Sequence, residues 1–246
     1  GNKNLLSSYI CIAMPVMIAM SVITEKTLLR AIYLIATGFG FAALMTADSD
    51  SGILGMAVFM IIYLVWFSNS LVRLKRFFLS ATVMLLFAKL LRLFSLCFGD
   101  KSKGFDKFQE IFVFSGIGWI LLAACAVITG ILYLIDYKKP NITISKAVPI
   151  ALAVVFGLCA VAMIGIMVYF SCIDTETDLG SFERIIRFND IWGTHRGFMW
   201  IRSIWIFGDA SFIEKLFGVG PDMFYSAFSP YFDDLSKYGD SSTNAA

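Results

Sequence analysis

The sequence predicts an all-α, polytopic membrane protein with about six membrane-spanning helices, followed by an external helical segment. Three observations carry that prediction. Hydrophobic residues make up 59% of the 246 and charged residues only 15%, against roughly 25% charged in a soluble domain. Mean hydropathy is +0.79. The apolar residues are also gathered into runs of about twenty, the length that crosses roughly 30 Å of hydrocarbon as helix.

The predicted spans are 5–23, 27–47, 53–71, 77–98, 111–135 and 147–172, so that 1–172 forms a transmembrane bundle. Helix is the expected conformation because lipid offers no partner to an open backbone. The third run is short, and takes Ser68 to Leu71 to complete its span. The first run lacks a basic leader and a small-residue cleavage site, so it reads as a span and not as a secretory signal.

Charge in the connecting segments sets the expected orientation. Lys26 and Arg30 follow the first run, Arg73, Lys75 and Arg76 the third, and Lys138, Lys139 and Lys146 the fifth. The alternate connections carry Asp48 and Asp50, then the mixed stretch from Asp100 to Glu110. The positive-inside rule places the N-terminus outside and the basic connections in the cytoplasm. Residues 173–246 are then external, and the Asn141-Ile-Thr143 sequon faces the cytoplasm. The net charge of +2 carries no signature of nucleic-acid binding.

The five cysteines lie within or beside apolar runs, in a spacing that matches no disulfide framework or metal site. Buried free thiols are expected, with a bridge between Cys97 and Cys172 as the alternative. Gly38, Gly40, Gly116, Gly118 and Gly157 are expected at close helix contacts.

The fourth span contains Lys89 and Arg92, three residues apart and therefore on one helix face. A cation at a helix centre costs roughly 2.5–3.5 kcal/mol on insertion scales. Two readings stand side by side: snorkelling toward headgroups, or a cationic pocket for a lipid phosphate or diphosphate.

Residues 173–246 have a different composition, with eleven acidic against six basic residues and dense Trp, Phe and Tyr. Such aromatic density suits an ordered segment. Helices are predicted over Phe182–Trp192 and His195–Phe207. Ser211 and Glu214 form a capping box that opens a third, Phe212–Phe217. Gly218-Val-Gly220-Pro221 breaks that helix, and Pro221 suits the first turn of a fourth, Asp222–Phe228. There is no Walker loop, dinucleotide fingerprint or metal-binding spacing. The single histidine, His195, reads as a surface or packed imidazole.

The order of features in this segment resembles the O-antigen ligase and polysaccharide polymerase superfamily of bacterial envelopes. The matching residues are Arg196-Gly-Phe-Met-Trp200, then Phe217-Gly218-Val219-Gly220-Pro221 and Phe224, outside the membrane after a helix pair. The run Ser242-Thr-Asn-Ala-Ala246 resembles the approach to the family's His-Asn. One departure is Thr46-Ala-Asp-Ser-Asp50-Ser51-Gly52, where Ser51 stands in place of a family arginine. This suits a polymerase-like branch.

The resemblance implies a glycosyltransferase of the bacterial cytoplasmic membrane. It would join a polyprenyl-diphosphate-linked glycan to a glycan or glycolipid acceptor on the outer face, without a metal or other cofactor. Arg196 would grip the diphosphate, since a guanidinium presents a planar fork of donors to phosphate. Lys89 and Arg92 are further candidates, and Trp200 would stack on sugar or pack its helix. Gly218, Gly220, Pro221 and Phe224 are motif positions. No catalytic residue is assigned within 1–246, because the family's histidine base is expected just past Ala246; the chain reads as a fragment inactive by itself. The competing reading of Arg196 is a salt bridge to Asp190 or another acid, and Arg202 reads equally as a solvated charge. A transporter or flippase of lipid-linked glycans, and a noncatalytic envelope scaffold, are the competing functions.

Overall fold

The computed structural model describes residues 3–47, 49–98, 107–139, 142–180, 183–190, 192–220 and 223–231. Among these residues the chain is helical, with no strand. The helices are α1 (Lys3–Ile23), α2 (Thr27–Thr46), α3 (Asp50–Phe67), α4 (Leu71–Phe98), α5 (Lys107–Val113), α6 (Gly116–Lys138), α7 (Ala147–Val168), α8 (Glu183–Ile186), α9 (Trp192–Asp209), α10 (Phe212–Phe217) and α11 (Phe224–Phe228). A π-helical turn, Tyr169–Ile173, extends α7, and a 3-10 turn, Ser229–Tyr231, follows α11.

Among the described residues six stretches are long and apolar enough to cross a membrane: Leu5–Ile23, Thr27–Thr46, Asp50–Phe67, Leu71–Cys97, Gly116–Lys138 and Ala147–Ile173. The protein therefore has the architecture of a multi-pass membrane protein. Packing divides the chain inside α7 and not at its end, into Gly1–Phe156 and Gly157–Ala246. α7 contains no buried residue, and an apolar helix bare on all sides suits a lipid environment.

In the first unit α4 is the hub, packed against α1, α2 and α6. Ile18, Val22, Leu44, Met45 and Ala88 are fully buried there. Close packing and interhelical hydrogen bonds must hold such helices together, because lipid tails are as apolar as the helix faces. Small and hydroxylated residues make the close contacts. A Cβ on Gly38 would lie 2.5 Å from the Phe87 ring. Hydroxyl pairs cross between helices at Ser21–Ser80 (2.8 Å), Ser7–Ser49 (3.0 Å) and Thr82–Thr129 (3.2 Å). Gly38, Gly40 and Gly118 are thus at close contacts as expected, whereas Gly116 and Gly157 face open space.

Three boundaries depart from the sequence-based expectation. The third span runs from Asp50 and ends at Phe67, so it gains its length upstream and not from Ser68–Leu71. Ser49 helps to seat its start by bonding Ser7 and Ser51. The fourth helix begins at Leu71, which puts Arg73, Lys75 and Arg76 inside it. Two of these cations find partners on neighbouring elements, and Arg73 is exposed. Arg76 donates to the carbonyls of Val22 (2.9 Å) and Thr24 (3.3 Å) at the end of α1, and Lys75 pairs with Asp136 of α6. The fifth apolar run is two helices, α5 and α6, broken at Phe114–Ser115.

All five cysteines are free; Cys97, Cys159 and Cys172 are exposed, and Cys11 and Cys125 half-buried. The expectation of free thiols holds, but that of burial within the protein does not. The sequon at Asn141 and the run from Ser242 to Ala246 lie outside the described residues.

Candidate functional site

In the second unit, α9 carries the residues of interest. The predicted helix Phe182–Trp192 is interrupted: α8 ends at Ile186, and Trp192 already belongs to α9. Arg187 is the physical reason. Its guanidinium donates to Glu183 (3.0 Å) and to the carbonyls of Phe170 (3.1 Å) and Thr177 (2.7 Å). The Phe188 amide donates to Ser171 Oγ at 2.7 Å. These bonds tie the chain to the end of α7 and stop α8 after about one turn. Arg187 is a structural clamp that the sequence reading missed. Glu183-x-x-x-Arg187 was the available signal, an ion pair at i,i+4.

The loop then turns tightly into α9. Trp192 N–H donates to Asn189 O (3.0 Å) and Phe198 N–H to Asp190 O (3.3 Å). Gly197 is required at this crossing, because a Cβ there would collide with the Asn189 carbonyl.

Asp190 pairs with Arg202 and not with Arg196. Both Arg202 terminal nitrogens meet the carboxylate, with Nη2–Oδ2 at 3.0 Å. The guanidinium also lies 4.2 Å from the Phe198 ring centroid and 4.8 Å from that of Trp205. Planar cations favour such stacking over aromatic faces. Arg202 is therefore a packed ion pair and not a solvated charge.

Arg196 is half-buried and has no ion-pair partner among the described residues. It sits four residues from both Trp192 and Trp200, on one stripe of α9. Trp200 is 53% exposed. Its ring centroid lies 5.3 Å from that of Trp192 and 6.3 Å from that of Phe188. A guanidinium thus shares a helix face with an exposed indole, beside a small aromatic cluster. The His195 side chain lies outside the described residues.

The capping box is present as expected: Ser211 Oγ accepts from Glu214 N, and Glu214 Oε2 accepts from Ser211 N. Hydrogen bonding from the Ser211 side chain, and then from its backbone N–H, holds the Glu214 carboxyl below its ordinary range. Gly218 (φ 76°) ends α10, and Gly220 (φ 102°) follows in a second left-handed conformation, both of which disfavour a side chain. Phe224 begins α11 and packs against Phe228 at 5.7 Å, which in turn meets Phe198 at 6.1 Å. These motif positions shape the fold around α9. Pro221 and Asp222 lie outside the described residues.

Lys89 and Arg92 belong to the first unit. Lys89 is 3% exposed, and its ammonium donates to Val113 O (3.1 Å) and Ser115 O (3.0 Å). Arg92 Nη1 donates to Phe114 O at 3.4 Å. The two cations satisfy the carbonyls that the α5–α6 break releases. Lys89 neither snorkels nor opens to a headgroup here; it is a buried cap, with the Trp119 ring 5.2 Å away.

Among the described residues no three His, Cys, Asp or Glu side chains converge in a metal-binding group. No protein-family model, curated protein or solved structure matches this chain.

Proposed function

We propose that the chain belongs to a membrane glycosyltransferase that moves a glycan from a polyprenyl diphosphate onto an acceptor sugar, at the outer face of a bacterial cytoplasmic membrane. The observation that carries this reading is the state of Arg196. The nearby acid that would have neutralised it, Asp190, is held by Arg202, and Arg196 shares its face with exposed Trp200.

In the proposed reaction an acceptor hydroxyl attacks the anomeric carbon and the bond to the diphosphate oxygen breaks. The diphosphate leaves with the bonding electrons, and the hydroxyl proton passes to a base. Arg196 would stabilise the charge that grows on the leaving group, where preorganised donors act most strongly. Trp200 would lie against the apolar face of a sugar ring. The scheme asks for no cofactor. Its warrant is the resemblance of the Arg196–Trp200 and Phe217–Phe224 motifs, together with the six spans.

The test is Arg196→Ala in the full-length protein, in membranes supplied with a polyprenyl-diphosphate glycan. Transfer should fall by about 10²-fold or more, the scale for losing one transition-state donor, with insertion unchanged. Wild-type turnover would reject the assignment.

A further inference from the structure

Residues 204–217 present large apolar side chains outward. On α10, Phe212 is 76% exposed, Ile213 70%, Leu216 63% and Phe217 82%. Ile204 of α9 is 61% exposed, on the same stripe as Trp200. A soluble surface rarely carries so many adjacent apolar groups without a partner. The helix is nonetheless well made, because its capping box fixes its first turn. Its polar positions are separate: Glu214 serves the cap, and Lys215 folds back to donate to Gly208 O at 2.8 Å. The exposed apolar side chains are therefore not a by-product of a frayed segment.

The same unit contains the membrane-spanning second half of α7, and the Arg187 clamp ties the start of the segment to Phe170 and Asp174 at that helix's end. The segment therefore begins at a bilayer surface. We propose that α10 lies in the interfacial layer of the phospholipid bilayer, with Phe212, Ile213, Leu216 and Phe217 toward the acyl chains and Ile204 continuing the contact. Large apolar side chains on a short amphipathic element partition to this depth. The inference needs only the membrane spans and holds whatever reaction the protein performs.

The test uses the full chain in phospholipid nanodiscs, with its native cysteines replaced and a nitroxide placed by Ile213→Cys, Phe217→Cys or Lys215→Cys in turn. Collision with oxygen, which concentrates in lipid, should exceed collision with a water-soluble nickel chelate at positions 213 and 217. The order should reverse at position 215. Chelate dominance at both 213 and 217 would overturn the proposal in favour of a water-facing surface. Low access to both reagents with an immobilised spectrum at both sites would overturn it in favour of a protein partner. Two independent sites guard against one variant misfolding, and the retained capping box keeps α10 formed in each.

Discussion

Arg202 holds Asp190 through both arms of its guanidinium while stacking on Phe198 and Trp205. That single pairing separates the roles of two arginines on one helix. Arg202→Ala should lower stability by about 1.5–3 kcal/mol, the range for hydrogen bonds to charged groups, because it removes a two-armed, charge-assisted pair to a partly buried carboxylate. Arg202→Lys should recover only part, since an ammonium has no planar fork. Arg196→Ala should leave stability within about 0.5 kcal/mol. Thermal unfolding in detergent, compared across the three variants, distinguishes them; equal losses at both positions would dissolve the division of roles.

Lys89 should behave as a structural cation. Replacing it by Met keeps the length and removes the donor, leaving the Val113 carbonyl without the ammonium and taking one of its partners from the Ser115 carbonyl. The expected cost is about 1–3 kcal/mol per unsatisfied group. Gly118→Ala should disturb the same joint, since its Cβ would lie 2.6 Å from Lys89 Nζ and against the Phe112 carbonyl. Both variants should lower the unfolding temperature, and hydrogen exchange should speed up first at 113–116. Unchanged exchange there would show that the break is held by other contacts.

The spans were legible because burial in lipid leaves a long, uniform signal: the predicted ranges and the observed helices share their cores throughout. Their ends were not, and the reason is the same at each misread boundary. Hydropathy stops a helix at the first charge, but Arg73, Lys75 and Arg76 remain helical, and the α1 carbonyls and Asp136 receive two of them. Hydropathy equally runs straight through Phe114–Ser115, because the break is made by Lys89 and Arg92 from another helix. The capping box over Ser211–Glu214 could be read exactly where it lies, since every group it needs is within four residues. Asp190's partner was harder. Arg196 and Arg202 are both within reach by sequence, and only the tight turn at Asn189–Trp192 decides between them.

Gly218 and Gly208 offer a controlled comparison. Gly218 sits at φ 76° and ψ 178°, a region that side-chain-bearing residues avoid at a cost of about 1–3 kcal/mol. Gly208 lies inside α9, with open space around its missing Cβ. Gly218→Ala should therefore destabilise, whereas Gly208→Ala should stabilise by up to about 1 kcal/mol through helix propensity. Unfolding measured on both variants checks the opposite signs. If Gly218→Ala were neutral, the left-handed turn after α10 would not be required.

Glu214 gives the segment a pH dependence of definite sign. Hydrogen bonds from the Ser211 side chain and backbone favour its charged form and hold its pKa below the ordinary value of 4.5. A carboxyl depressed in the folded state contributes stability above its unfolded pKa and loses it as pH falls through the folded value. The cap should therefore be intact at neutral pH and weaken only under acid conditions, from about pH 4.5 downward. Ser211→Ala removes the leading hydrogen bond, so the Glu214 carboxyl should titrate closer to its ordinary range. Carbon-detected NMR titration of labelled Glu214 measures both midpoints. An unchanged midpoint on substitution would mean that the side-chain half of the capping box contributes nothing in solution, and would remove the argument that α10 is a preformed element holding its apolar residues outward.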